Sequence, residues 1–294
     1  MFGDAGRGGR RRGDPERRRR QCLGAEALMA RLREQDAQRR AASGYGPDFL
    51  EAFARGLRVI GAFDRQRSGM TLSEVARATD LPKPSVRRAL YTLTCLGLAT
   101  SDGRSFRLTP KIMELASVYL GSNMISTVVQ PACERLAELT EQSCFAAVLD
   151  GHDIMVIAHS LHGRPDVLAP TIGLRRPAFN TAAGRAILSQ LPHDALDAWL
   201  DRLEPKGITD FTVTDKRALK AEILQVRQQG FAITAQEWRR GYHAAAVPLR
   251  RYDGGTIGAL CVAVWVEDSS EGSAAERHVP ALTAEAEALK PQLL

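Results

Sequence analysis

The chain has 294 residues, 44% of them hydrophobic and 25% charged, and a formal net charge of +6. That length predicts about two domains, with ample apolar material for two cores. No apolar run approaches the roughly 20 residues needed to span a bilayer, and the N-terminus lacks the apolar stretch of a signal peptide, so a cytoplasmic protein is expected.

The charge is unevenly spread. Residues 1–45, with RGGRRRG and ERRRRQ, hold 12 Arg against 6 acidic residues and carry +6; residues 46–109 carry +4; residues 110–294 carry −4. One region suits phosphate and another faces something else. Residues 1–46 form a basic extension that is expected to be disordered, or helical only between Gly24 and Arg40. It either adds non-specific affinity for DNA or has no selected role.

Asp48 and Glu51 have the spacing of a capping box. They open a helix with an apolar stripe of Phe49, Phe53, Leu57, Ile60 and Phe63, closed at Gly69. Thr71 and Glu74 form a second capping box, followed by Leu72, Val75, Ala76 and Thr79 at helical spacing. Asp80 and Leu81 turn the chain. A second short helix starts near Pro84, where a first-turn proline is tolerated, and buries Val86, Ala89, Leu90, Leu93 and Leu96. Gly97 is its C-cap. Leu98–Thr100 and Phe106–Leu108 read as paired strands around the hairpin signal Asp102-Gly103.

Residues 47–109 therefore predict a winged helix-turn-helix, a shape suited to the DNA major groove. Lys83, Ser85, Arg87, Arg88, Tyr91 and Thr92 fall largely outside the buried stripe of the second helix. Arginine can bond guanine edges bidentately, and the others can reach bases or phosphates. Thr71 and Ser73 on the first helix and Arg104 at the wing tip complete the expected DNA-contacting set. A small helical bundle with a solvated basic face explains either helix alone, but not the ordered combination.

Residues 110–124 read as a linker helix and 125–141 as another, with Pro131 opening its regular part or kinking it. Residues 125–294 read as a mixed domain. Cys144–Leu149 and Ile154–Ala158 form a hairpin, with a third strand near Val167–Ile172. Helices follow at about 180–190, 193–202 and 216–229, then strands at Phe231–Trp238, Tyr242–Arg250 and Thr256–Val266 and a final helix at about 273–291. The fold class is α+β, with an antiparallel sheet able to enclose a small pocket.

These segments resemble the IclR family of bacterial transcriptional regulators over about residues 48–292. The resemblance rests on FARGLRVI, TLSEVARATDLPKPSVRRALYTLTCLG, FRLTPKIMELASVYL, FNTAAGRAILSQLP, VRQQGFAITAQEW and AVPLRRYDGGTIGALCVAV. It is nearest in tone to the subgroup controlling breakdown of aromatic acids such as protocatechuate and 4-hydroxybenzoate. The resemblance implies a C-terminal GAF-like effector domain, a small organic acid as effector, and homodimers or homotetramers on palindromic double-stranded DNA operators. It places the recognition helix on Lys83–Thr92 and the pocket-lining loop on Asn180, Thr181, Ala182, Ala183 and Gly184. Gln236 and Glu237 fall at the polar pocket edge, and Cys261 and Ala263 stand where many members have small polar residues. Trp238 lies near the rim and could stack on an aromatic ligand. Pro82 replaces a common Ser or Thr, and Ala263 makes the pocket floor less polar, which suits an aromatic or aliphatic ligand.

An anionic ligand also has a physical rationale. Asn180 or Thr181 caps a helix whose first-turn N–H groups attract carboxylates, with Arg185 just inside it and Arg175-Arg176 before it. A solvated basic loop beside an ordinary cap is the other reading. His152, His159, His162 and Asp153 do not converge on a metal, the five cysteines form no C-x-x-C pair, and no cofactor is expected. No G-x-S-x-G, Walker or H-E-x-x-H motif is present. An enzyme with a catalytic C-terminal domain, or an architectural nucleic-acid-binding protein, are the alternatives to an effector-responsive regulator.

Overall fold

A computed structural model describes residues 46, 48–63, 68–122, 124–162, 170–266 and 274–293. The expectations for residues 1–45 lie outside these. The chain divides into two compact units, one ending at Ile112 and one running from Met113.

The first unit begins with helix α1 (Glu51–Ile60). The Asp48–Glu51 capping box does not form. Leu50 is the N-cap, without a side-chain bond, and Glu51 is already inside the helix, where it pairs with Arg55. The helix ends at Gly61 rather than Gly69. The expected stripe is also only partly buried: Ile60 and Phe63 pack on the core with Val59, but Phe53 is 66% and Leu57 49% exposed. The helix has two apolar faces, and periodicity does not reveal which one meets a partner.

Strand β1 (Met70–Thr71), not anticipated, pairs antiparallel with the wing. Helix α2 (Leu72–Thr79) starts at the expected capping box. Thr71 Oγ1 accepts from Glu74 N at 3.4 Å, and Glu74 Oε2 accepts from Thr71 N at 2.7 Å, which lowers the Glu74 pKa. Helix α3 (Lys83–Cys95) has Pro82 as N-cap and Pro84 in its first turn. Val86, Leu90 and Leu93 are buried, but Leu96 is exposed because it lies past the last turn. Gly97, at φ +73, adopts the left-handed conformation favoured by glycine. Leu98 N bonds to Leu93 O and Gly97 N to Thr94 O, a Schellman stop. Strands β2 (Ala99–Ser101) and β3 (Ser105–Leu108) follow as the wing, giving the order β1-β3-β2.

The second unit opens with α4 (Met113–Ser122) and α5 (Met124–Thr140). Pro131 lies inside α5, which continues to Thr140. Strands β4 (Ser143–Asp150), β5 (Asp153–Ser160), β6 (Arg175–Pro177), β7 (Ala232–Ala235), β8 (Tyr242–Arg250) and β9 (Thr256–Trp265) form an antiparallel sheet in the order β6-β5-β4-β9-β8-β7. The strand expected near Val167–Ile172 falls partly outside the described residues, and the described strand that follows is β6. Residues 163–169 lie outside the described set, and Ile172 is exposed. Strand β7 stops at Ala235, earlier than expected, because Gln236 turns left-handed at φ +62.

Alternation puts Phe145, Ala147, Tyr242, Ala244 and Cys261 on one face of the sheet. That face is covered by α6 (Ala182–Leu188), α7 (His193–Asp201) and α8 (Lys216–Gln229). Cys144, Ala146, Ala245 and Val262 face α5 and α9 (Val279–Leu289) on the other side. The final helix is thus shorter than expected, preceded by a 3₁₀ turn at Glu276–His278, and residue 273 lies outside the described set. Burial pushes the Cys133 and Cys144 thiols up to about 12, as suits packing rather than reactivity. No helix among the described residues is long and apolar enough to cross a membrane.

Candidate functional sites

In the first unit, the buried stripe of α3 fixes what the helix shows to solvent. Lys83, Arg87, Arg88, Tyr91 and Thr92 are exposed. Ser85 is half-buried, and its hydroxyl accepts from Arg55 Nη1 at 3.3 Å, so α1 braces the start of α3. Thr92 Oγ1 donates back to Arg88 O at 2.9 Å. Thr71 is occupied by its capping box, while Ser73 is exposed on α2. Arg104 is exposed at the wing tip. The turn beneath it is built by Asp102, whose carboxylate accepts from Ser105 N at 2.6 Å, Ser105 Oγ at 2.8 Å and Arg104 N at 2.8 Å. These bonds hold the Asp102 carboxyl down to about 2. The surface is a short cationic helix on a rigid support, able to meet phosphates and base edges.

In the second unit, a cavity of about 10 Å³ lies between the sheet and the start of α6. That is room for about one water molecule. Asn180, Thr181, Ala182, Ala183 and Trp238 line it, as the sequence proposed for its pocket. Arg176, Tyr242, Phe145, Ile154, Thr234 and Ala244 line it as well. The sequence marks Arg176 as a charge before the ligand-facing helix start, but it does not assign the others, because the register that joins β6, β8 and β4 is invisible in one dimension. The alternation of Tyr242 and Ala244 along β8 was a usable signal.

Arg176 is buried in this wall. Its guanidinium carbon is 4.8 Å from the Trp238 ring centre and 5.2 Å from that of Tyr242, and Nη1 donates to Tyr242 Oη at 3.2 Å. Burial raises the Tyr242 phenol pKa, and the Arg176 charge opposes that rise. Asn180 is 0% exposed, and neither its Oδ1 nor its Nδ2 has a hydrogen-bond partner among the described residues.

Several expected pocket residues do other work. Thr181, not Asn180, caps α6 by accepting from Gly184 N at 3.2 Å. Arg185 is 4% exposed as a side chain, and it is committed elsewhere. Its Nη1 and Nη2 donate to Glu237 Oε1 and Oε2 at 2.6 and 2.7 Å, its Nε to Phe179 O at 2.9 Å, and its Nη1 lies 2.7 Å from Glu222 Oε2. Burial pushes the Glu237 carboxyl up, against the pull of Arg185 and the Val213 N–H. Gln236 accepts from Gly241 N at 3.2 Å. Glu237 and Arg185 line a separate open groove of about 500 Å³ together with Glu222 and Glu276. Its excess of carboxylates disfavours an organic acid despite its size. Cys261 and Ala263 sit on the cavity-side face of the sheet, and burial holds the Cys261 thiol well above its ordinary range.

Gly184 has a packing role. A Cβ there would fall on the Ala178 carbonyl oxygen. Gly184→Ala should cost about 1–3 kcal/mol through overpacking, read as a lower urea midpoint with an unchanged slope. A wild-type midpoint would refute this tight fit.

Among the described residues, no group of three His, Cys, Asp or Glu could hold a metal ion. Trp199 is buried and donates to Gly151 O at 2.9 Å, and His152 packs against it with ring centres 4.8 Å apart.

Comparison with known proteins bears on both units. The model described as the IclR helix-turn-helix domain matches residues 52–103, and that of the bacterial transcriptional regulator IclR C-terminal domain matches residues 117–290. The chain is 35% identical over 248 residues to the Pca regulon regulatory protein of Pseudomonas putida, covering 84% of this chain and 85% of the relative. The crystal structure of a transcriptional regulator from Rhodococcus sp. RHA1 aligns with TM-score 0.73 and 37% identity over 83% of this chain and 98% of that one. The inducer-binding domain of a PobR double mutant from Acinetobacter, solved with 3-hydroxybenzoic acid, aligns with TM-score 0.53 and 26% identity over 57% of this chain and 98% of that one.

Proposed function

Since the chain belongs to the IclR family of bacterial transcriptional regulators, a family of DNA-binding proteins with a C-terminal effector domain and not of enzymes, we propose that its operator affinity is set by a small aromatic acid held in the cavity between β8 and α6. The observation that carries this reading is Arg176, a buried guanidinium set against the rings of Trp238 and Tyr242. It offers a carboxylate a charged donor inside an otherwise largely apolar wall. The Acinetobacter domain solved with 3-hydroxybenzoic acid, and the name of the Pseudomonas putida relative, support the aromatic class.

At about 10 Å³ the cavity is far smaller than the roughly 300 Å³ or more of a typical ligand site. Binding therefore moves its walls, and Trp238, half-buried and adjoining the left-handed turn at Gln236, is placed to yield. A ligand that favours the opened wall favours whichever arrangement of the chain accompanies it, which is the linkage needed to change DNA affinity.

The protein acts in the cytoplasm as a dimer or a pair of dimers on a palindromic operator. Exposed Phe53 and Leu57 on α1, and Met113, Leu115 and Val118 on α4, support association of copies. On α3, Lys83, Arg87, Arg88, Tyr91 and Thr92 contact DNA, with Ser85 and Thr71 positioning the helices and Ser73 and Arg104 reaching the backbone.

The test is thermal unfolding of the full chain with hydroxybenzoates in excess. At about 100 times the dissociation constant, binding adds roughly 2.7 kcal/mol and raises the C-terminal transition by about 5–10 °C. Arg176→Gln should remove most of that rise. No rise with any small carboxylic acid would overturn the reading.

A further inference from the structure

We infer that Asn180 makes this cavity selective for acids bearing a second, neutral group that both donates and accepts a hydrogen bond, such as a phenolic hydroxyl. The inference rests on the ligand reading above and adds a requirement to it.

Asn180 closes the 3₁₀ turn Ala178–Asn180, just before the cap of α6. It is 0% exposed, lines the cavity, and leaves both ends of its amide without a protein partner among the described residues. Buried polar groups are nearly always satisfied, so a doubly unsatisfied amide needs a reason. The neighbouring polar groups do not supply one. Thr181 Oγ1 accepts from Gly184 N and faces the Pro177 and Ala178 carbonyls, and Tyr242 Oη accepts from Arg176. An amide presents donors and an acceptor but no charge. Its complement is a hydroxyl, while a carboxylate gains more from Arg176. Phe145, Ile154 and Ala244 are apolar neighbours in the lining, to which Thr234 adds one further hydroxyl.

A site built to bond a hydroxyl rejects the analogue lacking one more strongly than an apolar pocket rejects an added group, because its own polar atoms are then left buried and unpaired. Calorimetry on the full chain with benzoate, 3-hydroxybenzoate, 4-hydroxybenzoate and the matching methoxybenzoates tests this. At least one hydroxybenzoate should bind about 10- to 100-fold more tightly than benzoate. The methoxybenzoates, which accept but cannot donate, should not recover that gain. Asn180→Leu should erase the preference, bringing hydroxybenzoate and benzoate to equal affinity in that variant. The wild-type ratios alone decide the matter if that variant does not fold. Benzoate binding as tightly as every hydroxybenzoate, or a preference that survives Asn180→Leu, would overturn the role of Asn180 and leave the aromatic-acid reading standing. Failure of every acid to bind would overturn both.

Discussion

Arg185→Met should destabilise the C-terminal unit by about 3–5 kcal/mol, the cost of leaving one partner of a buried ion pair uncompensated. The side chain of Arg185 is 4% exposed and that of Glu237 7%, and the pair is bidentate. Methionine fills much of the volume but leaves the Glu237 carboxylate without its cation. The loss should depend on pH with a definite sign. Burial already raises the Glu237 pKa above 4.5, and Arg185 opposes the rise. Without Arg185 the folded carboxyl sits higher still. The folded variant then holds a proton that the unfolded chain releases, so the deficit grows as pH rises from about 4.5 through the folded value and shrinks in acid. Urea unfolding at pH 5 and pH 8 reads both effects. Glu222→Gln is the control: its carboxylate is 39% exposed, and its removal should cost no more than about 1 kcal/mol. A pH-independent loss below about 1 kcal/mol in Arg185→Met would show that the pair does not hold the unit together.

The paired substitution Arg87→Ala, Arg88→Ala should weaken operator binding by about 30- to 10⁴-fold while leaving ligand binding unchanged. Both side chains are exposed on α3, opposite Val86 and Leu90, so the helix has no packing reason to unfold. Each bidentate base contact is worth about 1–3 kcal/mol, and the two add where they touch separate base pairs. The salt dependence separates the roles. An arginine on phosphate reduces the slope by about one when removed, whereas one on a base edge chiefly relaxes sequence preference at its position. Fluorescence anisotropy on a duplex selected by the protein from random DNA measures both. Undiminished affinity and an unchanged slope would remove α3 from the interface.

What was legible in the sequence was local. Thr71 with Glu74, Asp102 with Gly103, and Gly97 each specify backbone geometry through neighbours within a few positions, and each is realised. What failed needed knowledge of what lies opposite. Phe53 and Leu57 share an apolar face, but which face meets the core is decided by α3. Asp48 and Glu51 have capping-box spacing, yet the helix starts between them. The cavity was half legible. FNTAAG marked the helix start, but Arg176 and Tyr242 are 66 positions apart and meet only across the sheet. Arg185 and Glu237, 52 apart, form a pair that turned an apparent ligand cation into a structural one.

The order of strands in the larger sheet carries a consequence in time. Its central pair joins β4 to β9, so the sheet cannot close until Thr256–Trp265 has been made. The helix-turn-helix unit, by contrast, lies within the compact unit that ends at Ile112. Thr256 follows Ile112 by about 140 residues, roughly 7–30 s of translation at 5–20 residues per second. During that interval all residues of the first unit are present while the strand that joins the two halves of the larger sheet is still missing. The first compact unit is therefore complete in sequence well before the larger sheet can be.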